Sequence, residues 1–169
     1  MKLKRLIVSM LIIVLVFGTV ACKKNDGKDL PGNEQDQGKK ELEASLEDVM
    51  KSLYKDTEVT ADMLQCTVLT DENSQYFIGL EKLDGAEGLA SEMLINVAAH
   101  SVVLLRVKDG ADIEAIKAEI KEKVDPRKWI CVGVEKENII VDNIGNTILL
   151  IMDNHISKTI HQNFLELAK

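Results

Sequence analysis

Ser101-Val102-Val103-Leu104-Leu105-Arg106-Val107, followed by Lys108-Asp109-Gly110-Ala111-Asp112, is the stretch on which the fold turns. The run is apolar at successive positions, so a strand built from it is greasy on both faces and belongs at the centre of a sheet. Asp109 and Gly110 stop it, and Asp109 or Asp112 supplies the N-cap of a helix. Ile113, Ile116, Ile120 and Val124 then form one buried helical stripe. Asp125-Pro126 ends the helix, because proline cannot donate to the helical ladder and biases its predecessor out of the helical basin.

Towards the C-terminus, Trp129 to Val134 and Asn138 to Asp142 have strand composition. Asn143-Ile144-Gly145-Asn146 reads as a hairpin loop with Gly145 in the left-handed position, and Thr147 to Met152 returns as its second strand. Asp153 or Asn154 caps a last helix with Ile156, Ile160, Phe164 and Leu167 on one face. Towards the N-terminus, Leu42, Leu46, Val49, Met50 and Leu53 recur at helical spacing in a helix over 41–55. Residues 57–98 are harder to read. Cys66 to Leu69 suits a short strand, Asp71 to Ser74 a turn and Tyr76 to Leu80 a strand; Ala86 to Val97 fits a helix beginning and an extended end. These elements predict an α+β fold: an antiparallel or mixed sheet of about four strands, with about three helices packed on one face.

In front of this domain, Lys2, Lys4 and Arg5 precede an apolar run from Leu6 to Phe17 that only Ser9 interrupts. Gly18-Thr19-Val20-Ala21 and Cys22 follow. A basic head, a short apolar core and a small-residue exit make an export signal. The run is too short for a membrane span, which needs roughly 20 residues. Thr19-Val20-Ala21-Cys22 resembles a lipobox, with Leu replaced by Thr at its first position. That resemblance implies a diacylglyceryl group on Cys22, cleavage before it, and an anchor of two acyl chains, enough for stable attachment. The expected organisation is a lipoprotein signal peptide over 1–21, lipidated Cys22 with a flexible polar tether over 22–40, and a single domain over 41–169.

Removing the 21-residue leader from 169 residues leaves 148, one domain's worth. The leader holds three positive and no negative residues, so the formal charge moves from -7 to about -10 in the mature chain. An acidic domain repels phosphate backbones and anionic lipid surfaces, which argues against nucleic acid as a partner and for a lipid anchor over electrostatic docking. With aromatics at 4%, stacking platforms for a sugar cleft are scarce. Cys66 and Cys131 are an even pair in an exported chain, compatible with a disulfide or with two buried thiols; Cys131 lies in an apolar strand context that suits burial.

The chain carries no HExxH, CxxC, GxSxG or Walker loop, and no cofactor is expected. His155 and His161 are six apart and fall on different helix faces. His100 and Ser101 are strand neighbours that point to opposite faces, so they make no nucleophile–base pair. Asp109 and Asp112 lack the twelfth-position Glu of a calcium loop, and capping accounts for them. Arg127-Lys128-Trp129 sets a basic pair and the only Trp at a rigid corner of an acidic protein. Arg and Trp are enriched at binding hot spots, so these three are the candidate interaction surface; the competing reading has Trp129 in the core and the two cations complementing the preceding helix terminus.

The stretches 99–112, Val124 to Val132 and Val141 to Asn146 resemble a family of small lipoproteins from Gram-positive bacteria that share a domain of unknown function. The resemblance covers about the second half of the mature chain. It implies a protein anchored on the extracytoplasmic face of the cell membrane of a single-membrane bacterium, a setting in which disulfides are less common, and it carries no catalytic residue. The expected function is a non-enzymatic binding or interaction module at the cell surface, with a protein, peptide or cell-wall partner. An envelope hydrolase with an unrecognised site is the alternative, as is an assembly factor for an envelope complex.

Overall fold

The chain folds as α1 (Leu46–Leu53), β1 (Leu64–Val68), α2 (Ser74–Ile78), β2 (Glu87–Met93), β3 (His100–Arg106), α3 (Ile113–Lys123), β4 (Ile139–Ile144), β5 (Thr147–Asp153) and α4 (Ser157–Glu166). This is a computed structural model that describes residues 41–95 and 98–169; the leader, Cys22 and the tether lie outside the described residues. The five strands form one antiparallel sheet in the order β1-β2-β3-β5-β4, so the fold is α+β. β3 sits in the middle, as its two-sided apolar sequence requires. β3 and β4 are parallel, joined through α3, with β5 inserted between them.

Helices cover both faces, not one. Val102, Leu104, Leu149 and Ile151 point to one face, where Leu46, Val49, Met50 and Leu53 of α1 and Ile160 and Phe164 of α4 bury against them. Val103, Leu105, Ile148, Leu150 and Met152 point to the other, against Phe77 and Ile78 of α2, Ile120 of α3 and Trp129. This alternation explains why β3 and β5 are continuously apolar: each side has its own core.

Local chemistry sets the helix ends. Ser45 caps α1, accepting from the Asp48 amide at 3.2 Å, and Asp112 caps α3, accepting from Ala115 at 3.0 Å. The N-cap of α4 is Ile156 and not Asp153 or Asn154; Asp153 instead holds the turn before the helix, accepting from the amides of His155 and Ile156 at 2.6 and 2.5 Å. Two further sequence expectations are corrected. Tyr76 to Leu80 is not a strand: Ser74–Ile78 is a short helix that buries Ser74, Phe77 and Ile78, closed by Gly79 at φ +75°. Trp129 to Val134 is irregular, because Cys131 takes φ +67°, which breaks any ladder there. Ala86 to Val97 resolves as strand β2 over Glu87–Met93. Among the described residues no helix is long and apolar enough to cross a membrane.

Candidate functional site: a groove between the first helix and the edge strand

Neither core layer extends fully over β1. On the α1 side, Leu64, Cys66 and Val68 face outward beyond the helix, and a groove of about 640 Å³ runs between α1 and β1. Met50, Tyr54, Val59, Leu64, Cys66 and Leu89 line it, with Glu47, Lys51 and Lys55, of both signs, among its lining residues. The lining is apolar, and the polar groups at its floor are engaged with one another.

Tyr54, at the C-terminal end of α1, leads from the groove into the domain. Its Oη lies 3.0 Å from Ser91 Oγ and 2.8 Å from His100 Nε2. His100 Nδ1 lies 2.9 Å from Asp153 Oδ2, and His100 and Asp153 are paired in the β3–β5 register. The Tyr54 hydroxyl donates to Ser91 Oγ, and the His100 ring bridges Tyr54 Oη through Nε2 and the Asp153 carboxylate through Nδ1. Burial pushes the Tyr54 phenol above its ordinary value, with the Cys66 thiol and Asp153 adding to the effect, so it stays protonated. Burial would raise Asp153 as well. The bonds from His100 and from the amides of Ile156 and His155 outweigh it and hold the carboxyl below the usual carboxylate range. Ser91 and His100 are buried, and both ring nitrogens are taken. This run of bonds is a pillar between the groove and the turn that leads into α4.

A second polar cluster lies on the opposite face at the same end of the sheet. Lys128, its side chain 3% exposed, sends Nζ to Glu92 Oε1 at 2.8 Å and to Ser101 Oγ at 3.2 Å. Glu92 Oε1 has that ammonium as its close partner, an ionic contact and not a well-aligned hydrogen bond. The rings of Tyr76, Phe77 and Trp129 stand around the cation, with centroids 4.4, 5.0 and 5.1 Å from Nζ. Burial lowers Lys128 despite Glu92 beside it. A lysine whose folded pKa lies below its unfolded one stabilises less while it is charged, so this contribution rises as pH climbs towards about 10.5. The double variant Lys128→Met, Glu92→Gln is therefore expected to be neutral to about 1 kcal/mol more stable at pH 7. It should also lose the alkaline rise in stability, read by chemical denaturation between about pH 7 and pH 10.

These positions decide what the sequence-derived residues do. Trp129 is buried in the α2/α3 core and Lys128 turns inward, while Arg127 is exposed beside Ile130, which is 82% exposed. His100 and Ser101 point to opposite faces, as strand neighbours must. His161 pairs with Asp142 at 2.7 Å and His155 is exposed elsewhere, so the two are not brought together. Cys66 and Cys131 are free and exposed, which corrects the expectation that Cys131 is buried. Sequence reading missed the Tyr54–His100–Asp153 chain. The visible signal was a titratable residue at the matching ends of the two most apolar strands.

No protein-family model, curated protein or solved structure matches the chain.

Proposed function

We propose that this protein is a lipid-anchored binding module on the extracytoplasmic face of the cell membrane, and that it takes an apolar small molecule or chain segment in the α1–β1 groove. The observation that carries this reading is the groove itself: an open, apolar space of about 640 Å³ whose floor hydroxyls are bonded inward. Concave apolar sites with few polar groups are where small ligands bind. The saturated pillar beneath it supports a non-enzymatic role, since a nucleophile needs a base within reach and access to substrate. The exposed Arg127 corner, with Lys128 and Trp129 bracing it from within, is a second surface available to a protein, peptide or wall partner.

The hydrolase alternative rests on one observation, the Tyr54–His100–Asp153 alignment. Tyr54→Phe separates the readings: a binding module keeps its function with a modest loss of stability, about 1 kcal/mol, whereas a hydrolase loses turnover outright. Two measurements test the main reading. Native mass spectrometry of the full chain extracted gently from its membrane should show an added apolar mass, stripped by delipidation. Cys22→Ser should release the protein from the membrane and change its electrophoretic mobility; unchanged retention would remove the anchor from the account.

A further inference from the structure

The open edge of β1 carries a hydrogen-bonding pattern that is symmetric about one residue. Leu94 N–H donates to the Met63 carbonyl and Leu69 N–H to the Gly88 carbonyl, both at 2.9 Å. With the register Leu64↔Met93 through Val68↔Leu89, these bonds make residues 63, 65, 67 and 69 the ones that exchange bonds with β2. The backbone groups of Leu64, Cys66 and Val68 therefore face away from the sheet. Two of those six groups are used internally: Leu64 N–H donates to the Ala61 carbonyl, and the Val68 carbonyl accepts from Asn73 Nδ2 at 3.0 Å. The Leu64 carbonyl, both groups of Cys66 and the Val68 N–H have no partner among the described residues.

Two copies laid antiparallel, with Cys66 opposite the partner subunit's Cys66, would use all of these groups. The two Cys66 residues exchange a pair of bonds, and each Val68 N–H meets the carbonyl of the partner subunit's Leu64. The bonds that would come next in a longer ladder, Leu64 N–H to the carbonyl of the partner subunit's Val68, are those whose groups are already spent within each chain. An arbitrary extended peptide has no reason to match this pattern; a second copy matches it by symmetry.

We infer that β1 is a self-association edge and that a second copy of this chain pairs with it to give one ten-stranded sheet. β1 has none of the devices that keep edges apart. Leu64, Gln65, Cys66, Thr67 and Val68 include no charge and no proline, and Val68 is 62% exposed. The opposite edge, β4, is defended: it carries Asp142, paired with His161, and Asn143, bonded to Lys117 Nζ. The two-fold axis stands perpendicular to the sheet, so both α1 layers lie on one side and the two grooves meet across the joined strands. Pairing does not require that the groove hold a ligand.

The test is thiol cross-linking of the full chain in its membrane, in a Cys131→Ser background, with a short bismaleimide and peptide mapping. Opposed residues of such a pair have Cα atoms about 5.5 Å apart, well within its reach. The expected product has twice the chain mass and links Cys66 to the partner subunit's Cys66. Val68→Pro removes one outward donor that the chain itself does not use, and should cut that product at least tenfold while the melting profile is retained. Should Val68→Pro fail to fold, Val68→Lys, at an exposed position, is expected to give the same loss. Absence of the Cys66 link, a link to a different polypeptide, or a product undiminished in the folded variant would each overturn the inference.

Discussion

Asp153→Ala is expected to lower the unfolding free energy by about 2–5 kcal/mol, the largest loss expected from exchange of a polar residue. Asp153 does two jobs with one carboxylate. Oδ1 takes the amides of His155 and Ile156 in the turn that leads into α4, and Oδ2 holds buried His100, which in turn orients Tyr54 at the groove. Losing the acceptor of two backbone amides costs about 1–2 kcal/mol, and leaving the buried imidazole without its partner adds about 1–3. Phe164 and Ile160 pack through α4, so loss of its first turn spreads into the core. The depressed carboxyl also sets a pH dependence. Its folded pKa lies below the unfolded value of about 3.9, so its stabilisation is complete above that value and is lost as pH falls through the folded one. The stability difference between wild type and Asp153→Asn should thus be smaller below about pH 4 than at neutral pH, as measured by urea denaturation.

Gly79→Ala should cost about 3 kcal/mol, the second largest effect. Gly79 closes α2 at φ +75°, and a Cβ there would meet the backbone carbonyl carbon of Lys123 at 2.6 Å. The dihedral alone costs about 1–2 kcal/mol, and the clash, against backbone with no rotamer to yield, adds a similar amount. Gly110→Ala is the control. Its φ is +80° but nothing lies within 4 Å of a new Cβ, so it should show the dihedral cost alone, about 1–2 kcal/mol. Thermal melts of the two variants separate packing from conformation.

Gly79 also shows where the sequence misleads. Tyr76-Phe77-Ile78 has strand composition, and five residues are too few to declare a period. The helix is decided by the residue after it, a glycine able to take the left-handed position against the end of α3. The amphipathic helices and the apolar strands β3 and β5 were legible from their burial patterns, although the first helix is Leu46–Leu53 and not 41–55, with Leu42 reaching the core from outside it. Sidedness was not. Continuous apolarity at 102–105 meant cover on both faces, yet which helix covers which face depends on the order β3-β5-β4, a non-local choice. The groove was illegible for the same reason: Tyr54, Cys66 and Leu89 come from three elements and meet only through strand pairing. Lys128 misled by its charge, since cations are rarely buried unless paired, and its partner Glu92 lies 36 residues away in a stretch whose conformation periodicity left open.

The groove is the centre of the account, and a titration with the neutral apolar dye N-phenylnaphthylamine tests it most directly. Ala61 lines the groove off the β1 edge, so Ala61→Trp fills the space without touching the outward ladder, while Glu122→Trp places the same ring on α3, across the sheet. The account predicts saturable dye fluorescence with wild type and with Glu122→Trp, and binding at least about tenfold weaker, or about 1.4 kcal/mol, with Ala61→Trp. Equal affinity in all three proteins, or no saturable binding by wild type, would contradict it.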